Sequence, residues 1–180
     1  MATSSVSLDS SIEVRPNYNY DLLLKLFANF SGEIRHLDYG GGNGKLSEKL
    51  SAANWKSTSY DPFPNGSGNL SEIDTFNLIT AFEVFENVPD PSSLMKNLEA
   101  LIEDEGIIFF STLINDNNIK KNERLSWWYA SPRNGHVSLY SHESLKKLGE
   151  NFCFNFASMG IVVHIYYKKF PTWAQSLLGK

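Results

Sequence analysis

The chain is poor in cysteine: Cys153 is the only one among 180 residues. A single thiol excludes an intramolecular disulfide and any cysteine-rich metal site. Flanked by Phe152 and Phe154, it reads as a small buried hydrophobe rather than a nucleophile. Long apolar runs are also missing, and no stretch approaches the ~20 residues that a membrane-spanning helix requires. The Ser-rich start has no basic segment followed by an apolar one, so no secretory leader is read and a cytoplasmic location is expected. Positive charge is not concentrated either. The net charge is −4, and several lysines occur as scattered pairs (Lys120-Lys121, Lys146-Lys147, Lys168-Lys169). A nucleic-acid footprint would gather them on one face, so neither nucleic acid nor membrane is an expected partner. The histidines do not cluster, and no metal is expected. There is no internal repeat, nothing marks a boundary between domains, and nothing specifies an oligomeric state.

What is present is ordinary soluble-protein material, 42% hydrophobic and 20% charged, in a length that suits one domain with a real core. Residues 1–14 are Ser-rich with little apolar periodicity and read as a flexible tail, leaving residues 15–180 as a single domain. Arg15 to Tyr20 reads as extended. Asp21 then caps a helix with an apolar stripe at Leu22, Leu23, Leu26, Phe27 and Phe30. Strands are expected at Ile34–Tyr39, Trp55–Tyr60, Phe76–Phe82 and Ile107–Leu113. Helices are expected from the glycine turn to about Ala53, from Asp90-Pro91 to a stop at Gly106, and from a Ser141 cap with Leu145 and Leu148 inward. Phe152 to Tyr167 reads as two strands joined near Met159-Gly160. Between Asp61 and Phe76, two prolines and two glycines (Pro62, Pro64, Gly66, Gly68) leave about seven residues, fewer than the ~10–12 a βα crossover needs. The fold class is therefore α/β: a doubly wound, mostly parallel Rossmann-like sheet with a C-terminal antiparallel hairpin, cut short after its second strand.

The most informative stretch is Leu37-Asp38-Tyr39-Gly40-Gly41-Gly42-Asn43-Gly44, an apolar strand ending in an acid and opening into a glycine turn before a helix. Such a turn lets a ligand approach the backbone at the carboxyl end of a parallel strand. A dinucleotide fingerprint, G-x-G-x-x-G, fits Gly40 and Gly42 but meets Lys45 at its last position. A phosphate-binding P-loop fails outright, since Tyr39 occupies its first glycine and Leu46 follows Lys45. The pattern observed is acid-x-G-x-G-x-G. An acid before the glycines repels phosphate and suits a ligand with cationic groups.

Asp38 to Gly44 resembles the first motif of class I S-adenosylmethionine (SAM)-dependent methyltransferases. Tyr60-Asp61-Pro62-Phe63 is similar to the acidic end of that family's second strand. Phe82-Glu83-Val84-Phe85-Glu86-Asn87-Val88-Pro89-Asp90-Pro91 resembles its segment after the fourth strand. Gly135-His136-Val137-Ser138-Leu139-Tyr140-Ser141, with Trp128-Tyr129 upstream, resembles a segment of its small single-domain branch. The four occur in the family's order over roughly Arg35 to Tyr167. Two departures stand out: Asn87 occupies the family's usual histidine position, and the unit between the second and fourth strands is truncated.

The resemblance implies SAM as cofactor and transfer of its methyl group, by in-line displacement, to O or N of a small-molecule acceptor. It implies that Asp38, Gly40, Gly41 and Gly42 form the loop against the methionine portion. Asp61 would accept from the ribose hydroxyls, Pro62 and Phe63 would cover the adenine, and Phe82 and Glu83 would line the sulfonium end, with Tyr18 folding over the site. His136 is the candidate general base, with Arg133 and Tyr140 close by in sequence as the other catalytic candidates. Two alternatives remain: a SAM-binding partner protein without methyl transfer, which Asn87 favours, and a nicotinamide-dependent oxidoreductase, which Lys45 disfavours.

Overall fold

A computed structural model of the chain describes residues 11–62, 73–116, 119–130, 133 and 135–178. Six strands form one sheet: β1 (Arg35–Tyr39), β2 (Lys56–Tyr60), β3 (Phe76–Phe82), β4 (Ile102–Ser111), β5 (Asn155–Met159) and β6 (Val163–Tyr167). Their order across the sheet is β2-β1-β3-β4-β6-β5. The first four pair in parallel; β6 runs antiparallel to both β4 and β5. This is the mixed doubly wound sheet with a closing hairpin that the sequence implies. No strand among the described residues intervenes between β2 and β3, and β2 stands at the sheet edge.

The sheet is held by side chains that alternate between two apolar layers. Leu78, Ile107 and Phe109 point to the layer formed with Leu23 and Phe27 of α1 (Ser11–Phe27) and Leu46 and Leu50 of α2 (Lys45–Ala52). Ile79, Ile108 and Phe110 point to the opposite layer, against Leu94, Met95 and Leu98 of α3 (Pro91–Leu101) and Leu145 of α4 (His142–Glu150). Central strands covered on both faces have no alternating polar register to keep, which is why the second half of β4 reads as an apolar run and β3 as one broken only by Asn77 and Thr80. Each fully buried Leu, Ile or Phe contributes about 1.5–3 kcal/mol relative to exposure.

Helix ends follow their local chemistry. The Asp90 carboxylate accepts from the N–H groups of Ser92 and Ser93 at 3.0 and 3.2 Å, with Pro91 in the first turn of α3. Ser141 and Ser144 exchange side-chain and backbone hydrogen bonds at the start of α4.

Three expectations are corrected. The segment from Arg15 to Tyr20 is helical, because α1 begins at Ser11 and runs through Pro16; a proline there removes one N–H donor without ending a helix whose later turns are anchored in the core. Gly106 does not stop α3, which ends at Leu101. It lies inside β4, where the register against β3 shifts between Phe76↔Ile102 and Leu78↔Ile107, and where an added Cβ would stand 2.6 Å from the Ile102 Cδ1. Cys153 is exposed rather than buried, since the turn after α4 takes it through φ +59° and delivers Phe154 to the core instead.

Candidate cofactor site at the carboxyl ends of the strands

The sheet's direction of winding reverses between β1 and β3, and ligands in such sheets bind outside the strand ends at that point. A cleft of about 760 Å³ opens there, bounded by the β1–α2 turn, the end of β3, Ser111 at the end of β4, the β5–β6 turn at Val162 and Val163, and α1.

The turn is glycine for steric reasons. Gly40 has φ +75°, and a Cβ on it would lie 2.6 Å from Val84 Cγ2. A Cβ on Gly41 would lie 2.3 Å from Ser59 Oγ and 2.4 Å from Asp38 Oδ2. Gly44, at φ +74°, is the left-handed entry to α2. The Gly40 N–H donates to the Tyr60 carbonyl at 2.7 Å, tying the turn to the end of β2.

Two acids flank this turn. Asp38 is buried in the cleft wall, and its Oδ1 accepts from the Thr80 hydroxyl at 3.0 Å. Burial raises its pKa to about 6, against the Thr80 hydrogen bond and with a further push from the charge of Asp61. Asp61 lies just past β2, where its Oδ2 accepts from the Gly42 N–H at 2.8 Å.

Glu83 follows β3 directly and is held in the left-handed region at φ +53°. Its N–H donates to Ser111 Oγ at 3.0 Å, and its carbonyl accepts from Asn87 Nδ2 at 2.8 Å. Its carboxylate pairs with Arg15 of α1 at 2.5 Å, across the cleft wall. Both partners are largely exposed, so water screens the pair to no more than ~1 kcal/mol.

Of the residues expected from sequence, Asp38, Gly40, Gly41, Gly42, Phe82, Glu83 and Tyr18 line this cleft. Asp61 reaches it through its bond to Gly42. Pro62 is exposed at the end of the described stretch, and Phe63 lies outside the described residues.

The three catalytic candidates sit elsewhere. The Tyr140 hydroxyl is buried and donates to the Phe85 carbonyl at 2.9 Å, and burial pushes its pKa up to about 12. Arg133 is exposed. His136 is half-buried over the Tyr129 ring, with Nδ1 2.8 Å from the Tyr129 carbonyl. A carbonyl only accepts, so Nδ1 carries the proton and Nε2 remains as the ring's acceptor. The segment carrying His136 is seated on the turn after β3, because the N–H groups of Val137 and Ser138 both donate to the Glu86 carbonyl. Glu86 itself is buried, accepts from the Tyr129 hydroxyl at 2.6 Å, and has its carboxyl pKa raised by burial. The contact with the cleft runs through Gly135, whose Cβ would lie 3.5 Å from Asn87 Oδ1 on the cleft wall.

Sequence reasoning missed Arg15, Asn19, Ser111 and Val163, all of which line the cleft. Ser111 was within reach, as the polar residue terminating the most apolar strand. Arg15 and Asn19 come from α1, whose helical course past Pro16 carries no local signal.

The residues present fit SAM. An acid-flanked glycine turn suits a ligand with cationic groups, the Asp61 carboxylate past β2 is of a kind that accepts from hydroxyls, and no phosphate-binding fingerprint is present. A family profile described as "Methyltransferase domain" matches residues 12–158. The ubiquinone biosynthesis O-methyltransferase of Colwellia psychrerythraea is 32% identical over 91 residues, covering 51% of this chain and 35% of that enzyme. Its counterpart in Coxiella burnetii is 50% identical over 42 residues, covering 23% and 18%. The chain thus spans about a third or less of the length of these relatives. In fold, it resembles magnesium protoporphyrin IX methyltransferase of Synechocystis, solved with bound S-adenosylhomocysteine (TM-score 0.55, 14% identity, 92% of this chain and 88% of that one). It also resembles an O-methyltransferase from neocarzinostatin biosynthesis, solved with S-adenosylhomocysteine and 1,4-dihydroxy-2-naphthoic acid (TM-score 0.58, 10% identity, 86% and 57%). With the glycine turn, both acids and the sheet order in place, the chain belongs to the class I SAM-dependent methyltransferases.

Proposed function

We propose that this chain transfers the methyl group of SAM to an oxygen or nitrogen of a small-molecule acceptor. The observation that supports it best is the placement of Asp38, Gly40–Gly42 and Asp61 around one cleft at the sheet's switch point. SAM, when bound, supplies an electrophilic methyl on a positively charged sulfur. The chain's task is then to orient it, which is worth up to ~7–11 kcal/mol of barrier. In this reading the glycine turn takes the methionine portion, Asp61 the ribose hydroxyls, and Phe82 with Glu83 the sulfonium end.

The acceptor enters from the side bounded by α1 and the segment around His136. Tyr18 lines the cleft and Trp128 packs edge-on against Tyr129, next to His136; both rings are largely exposed and suited to an aromatic or apolar acceptor body. The curated relatives are O-methyltransferases, which favours a hydroxyl as the acceptor group. His136, with Nε2 as its acceptor, is the base for a hydroxyl that must lose its proton.

A second reading has its own observation. Asn87 occupies the family's histidine position and spends its amide on the Glu83 carbonyl, as it would in a SAM-binding partner protein without methyl transfer. Calorimetry with SAM and NAD, followed by turnover of methyl-labelled SAM over phenols, carboxylic acids and amines, separates these readings. SAM binding with label transfer is the expected result. SAM binding with no transfer to any acceptor supports the partner protein, and NAD binding without SAM binding overturns both.

A further inference from the structure

Behind the cleft wall lies a chain of polar side chains that the cofactor reading leaves unused. Ser47 of α2, Ser57 of β2, His36 of β1 and Thr80 of β3 connect in series to Asp38. The distances are 2.9 Å from Ser57 Oγ to Ser47 Oγ, 2.7 Å from Ser57 Oγ to His36 Nδ1, 2.9 Å from His36 Nε2 to Thr80 Oγ1, and 3.0 Å from Thr80 Oγ1 to Asp38 Oδ1. His36 and Thr80 are wholly buried and Asp38 nearly so. Parallel strands at one register make this possible, because His36 pairs with Ser57 on one side and with Leu78 on the other, two residues from Thr80.

Proton counting gives such a chain two consistent polarities. When Asp38 is a carboxylate it only accepts, so Thr80 donates to it and must accept from His36. His36 is then the Nε2–H tautomer, and Ser57 turns its one proton from Ser47 Oγ to His36 Nδ1. When Asp38 is protonated it donates to Thr80, whose own proton turns to His36 Nε2 or to the Leu37 carbonyl at 3.5 Å. In the first of these, His36 carries its proton on Nδ1, facing Ser57. In both polarities the imidazole is neutral, and burial alone lowers its pKa to about 3. A cation behind Asp38 would cancel the field that the carboxylate offers to the cleft; a neutral ring does not. Among the described residues, the charge of Asp61 past β2 acts on Asp38, and Lys45 of α2 and the Arg15–Glu83 pair line the same cleft.

We propose that His36 and Thr80 are positioning residues for cofactor binding: their relay holds Asp38 in the accepting, charged state that the cationic portion of SAM requires, and a proton on His36 Nδ1 marks the loss of that state. The inference rests on the SAM reading of the cleft. It makes Asp38 part of a device reaching across three strands to α2, where local sequence shows only an acid before glycines.

Binding of SAM measured by calorimetry from pH 5 to 7.5, together with ¹⁵N NMR of the histidine rings in the cofactor-free protein, tests it. For wild type, affinity is expected to fall below about pH 6, with His36 neutral throughout and on the Nε2–H tautomer at pH 7.5. Thr80→Val, which removes the donor to Asp38, is expected to raise the binding midpoint by about one pH unit or more, and Thr80→Ser to restore it. No SAM binding by wild type at pH 7.5 removes the cofactor reading and this inference with it. Binding at pH 7.5 with an unmoved Thr80→Val midpoint overturns the relay alone. So does a His36 ring that titrates to a cation near pH 6.5, or that holds Nδ1–H at pH 7.5; both are read in wild type and need no variant to fold.

Discussion

Asn87 donates its side-chain amide to the carbonyl of Glu83 at 2.8 Å, and Glu83 is a non-glycine residue at φ +53°. A left-handed conformation costs an L-residue roughly 1–2 kcal/mol, so something must hold it there. Two side chains do: Asn87 takes the carbonyl and Ser111 takes the N–H. The strain aims the residue after β3 along the cleft rather than onward with the strand.

The corresponding prediction is a split between stability and function. Glu83→Gly relieves the backbone and loses only a screened ion pair, so thermal unfolding should show stability unchanged or raised by up to about 1 kcal/mol. Glu83→Val puts a β-branched residue at the same φ and should cost about 1–3 kcal/mol. Asn87→Ala should cost about 1 kcal/mol, the loss of one hydrogen bond. All three should lower methyl transfer. A Glu83→Gly protein with full activity would show that the strained carboxylate has no part in the site.

Most of the sheet was legible in the sequence because buried parallel strands are mostly apolar, as Phe76 to Phe82 shows despite Asn77 and Thr80, and because Asp90-Pro91 and Ser141 announce their helices chemically. The glycine turn was legible for the same local reason. What failed was set by distant packing. Pro16 suggested an interruption that the anchoring of Leu23 and Phe27 overrides, so Arg15 and Asn19 were not placed at the cleft. Gly106 suggested a helix stop although Ile102 already pairs with Phe76. The relay from Ser47 to Asp38 draws on four separate elements, and no window of sequence contains it.

Within the turn, Gly41 and Gly44 should respond differently to alanine. A Cβ on Gly41 meets Ser59 Oγ and Asp38 Oδ2 well inside contact distance, so Asp38 must leave its place beside Thr80. Gly41→Ala should cost about 1–3 kcal/mol in stability, as overpacking does, and lower SAM affinity more than about ten-fold. A Cβ on Gly44 finds Ser59 Cβ at 3.5 Å, an ordinary contact, and bears only the cost of its positive φ, about 1–2 kcal/mol. Gly44→Ala should therefore lose stability while SAM affinity stays within about three-fold. Chemical denaturation and calorimetry on the pair decide it; equal losses of affinity would mean that the turn's shape, rather than the space beside Asp38, governs binding.

Asp61 offers the opposite dissociation. The Gly42 N–H that donates to it is exposed and can turn to water when the carboxylate is removed. Asp61→Ala should leave apo-protein stability within about 1 kcal/mol of wild type but weaken SAM by about 1.5–3 kcal/mol, the loss of charged hydrogen bonds to the ribose. Asp61→Asn, which keeps one acceptor without the charge, should fall between. Unchanged affinity in Asp61→Ala would leave the carboxylate as a brace for the glycine turn alone.

The sharpest question concerns His136 and Tyr140, which are neighbours in sequence but differ in their surroundings. The Tyr140 hydroxyl is committed to the Phe85 carbonyl in the core, so Tyr140→Phe should cost about 1–2 kcal/mol in stability and leave both SAM affinity and the rate per folded molecule close to wild type. His136 holds its Nδ1 proton against the Tyr129 carbonyl and keeps Nε2 as an acceptor, the tautomer that a general base needs. Proton removal of this kind typically contributes ~10²–10⁴-fold. His136→Ala should therefore lower turnover by about two orders of magnitude or more without weakening SAM. The acidity of the acceptor separates chemistry from packing. An acceptor whose pKa lies well below 7 should depend on His136 least, because it arrives already ionised. If His136→Ala slows all acceptors equally, the ring only seats the segment on Tyr129 and the base lies elsewhere.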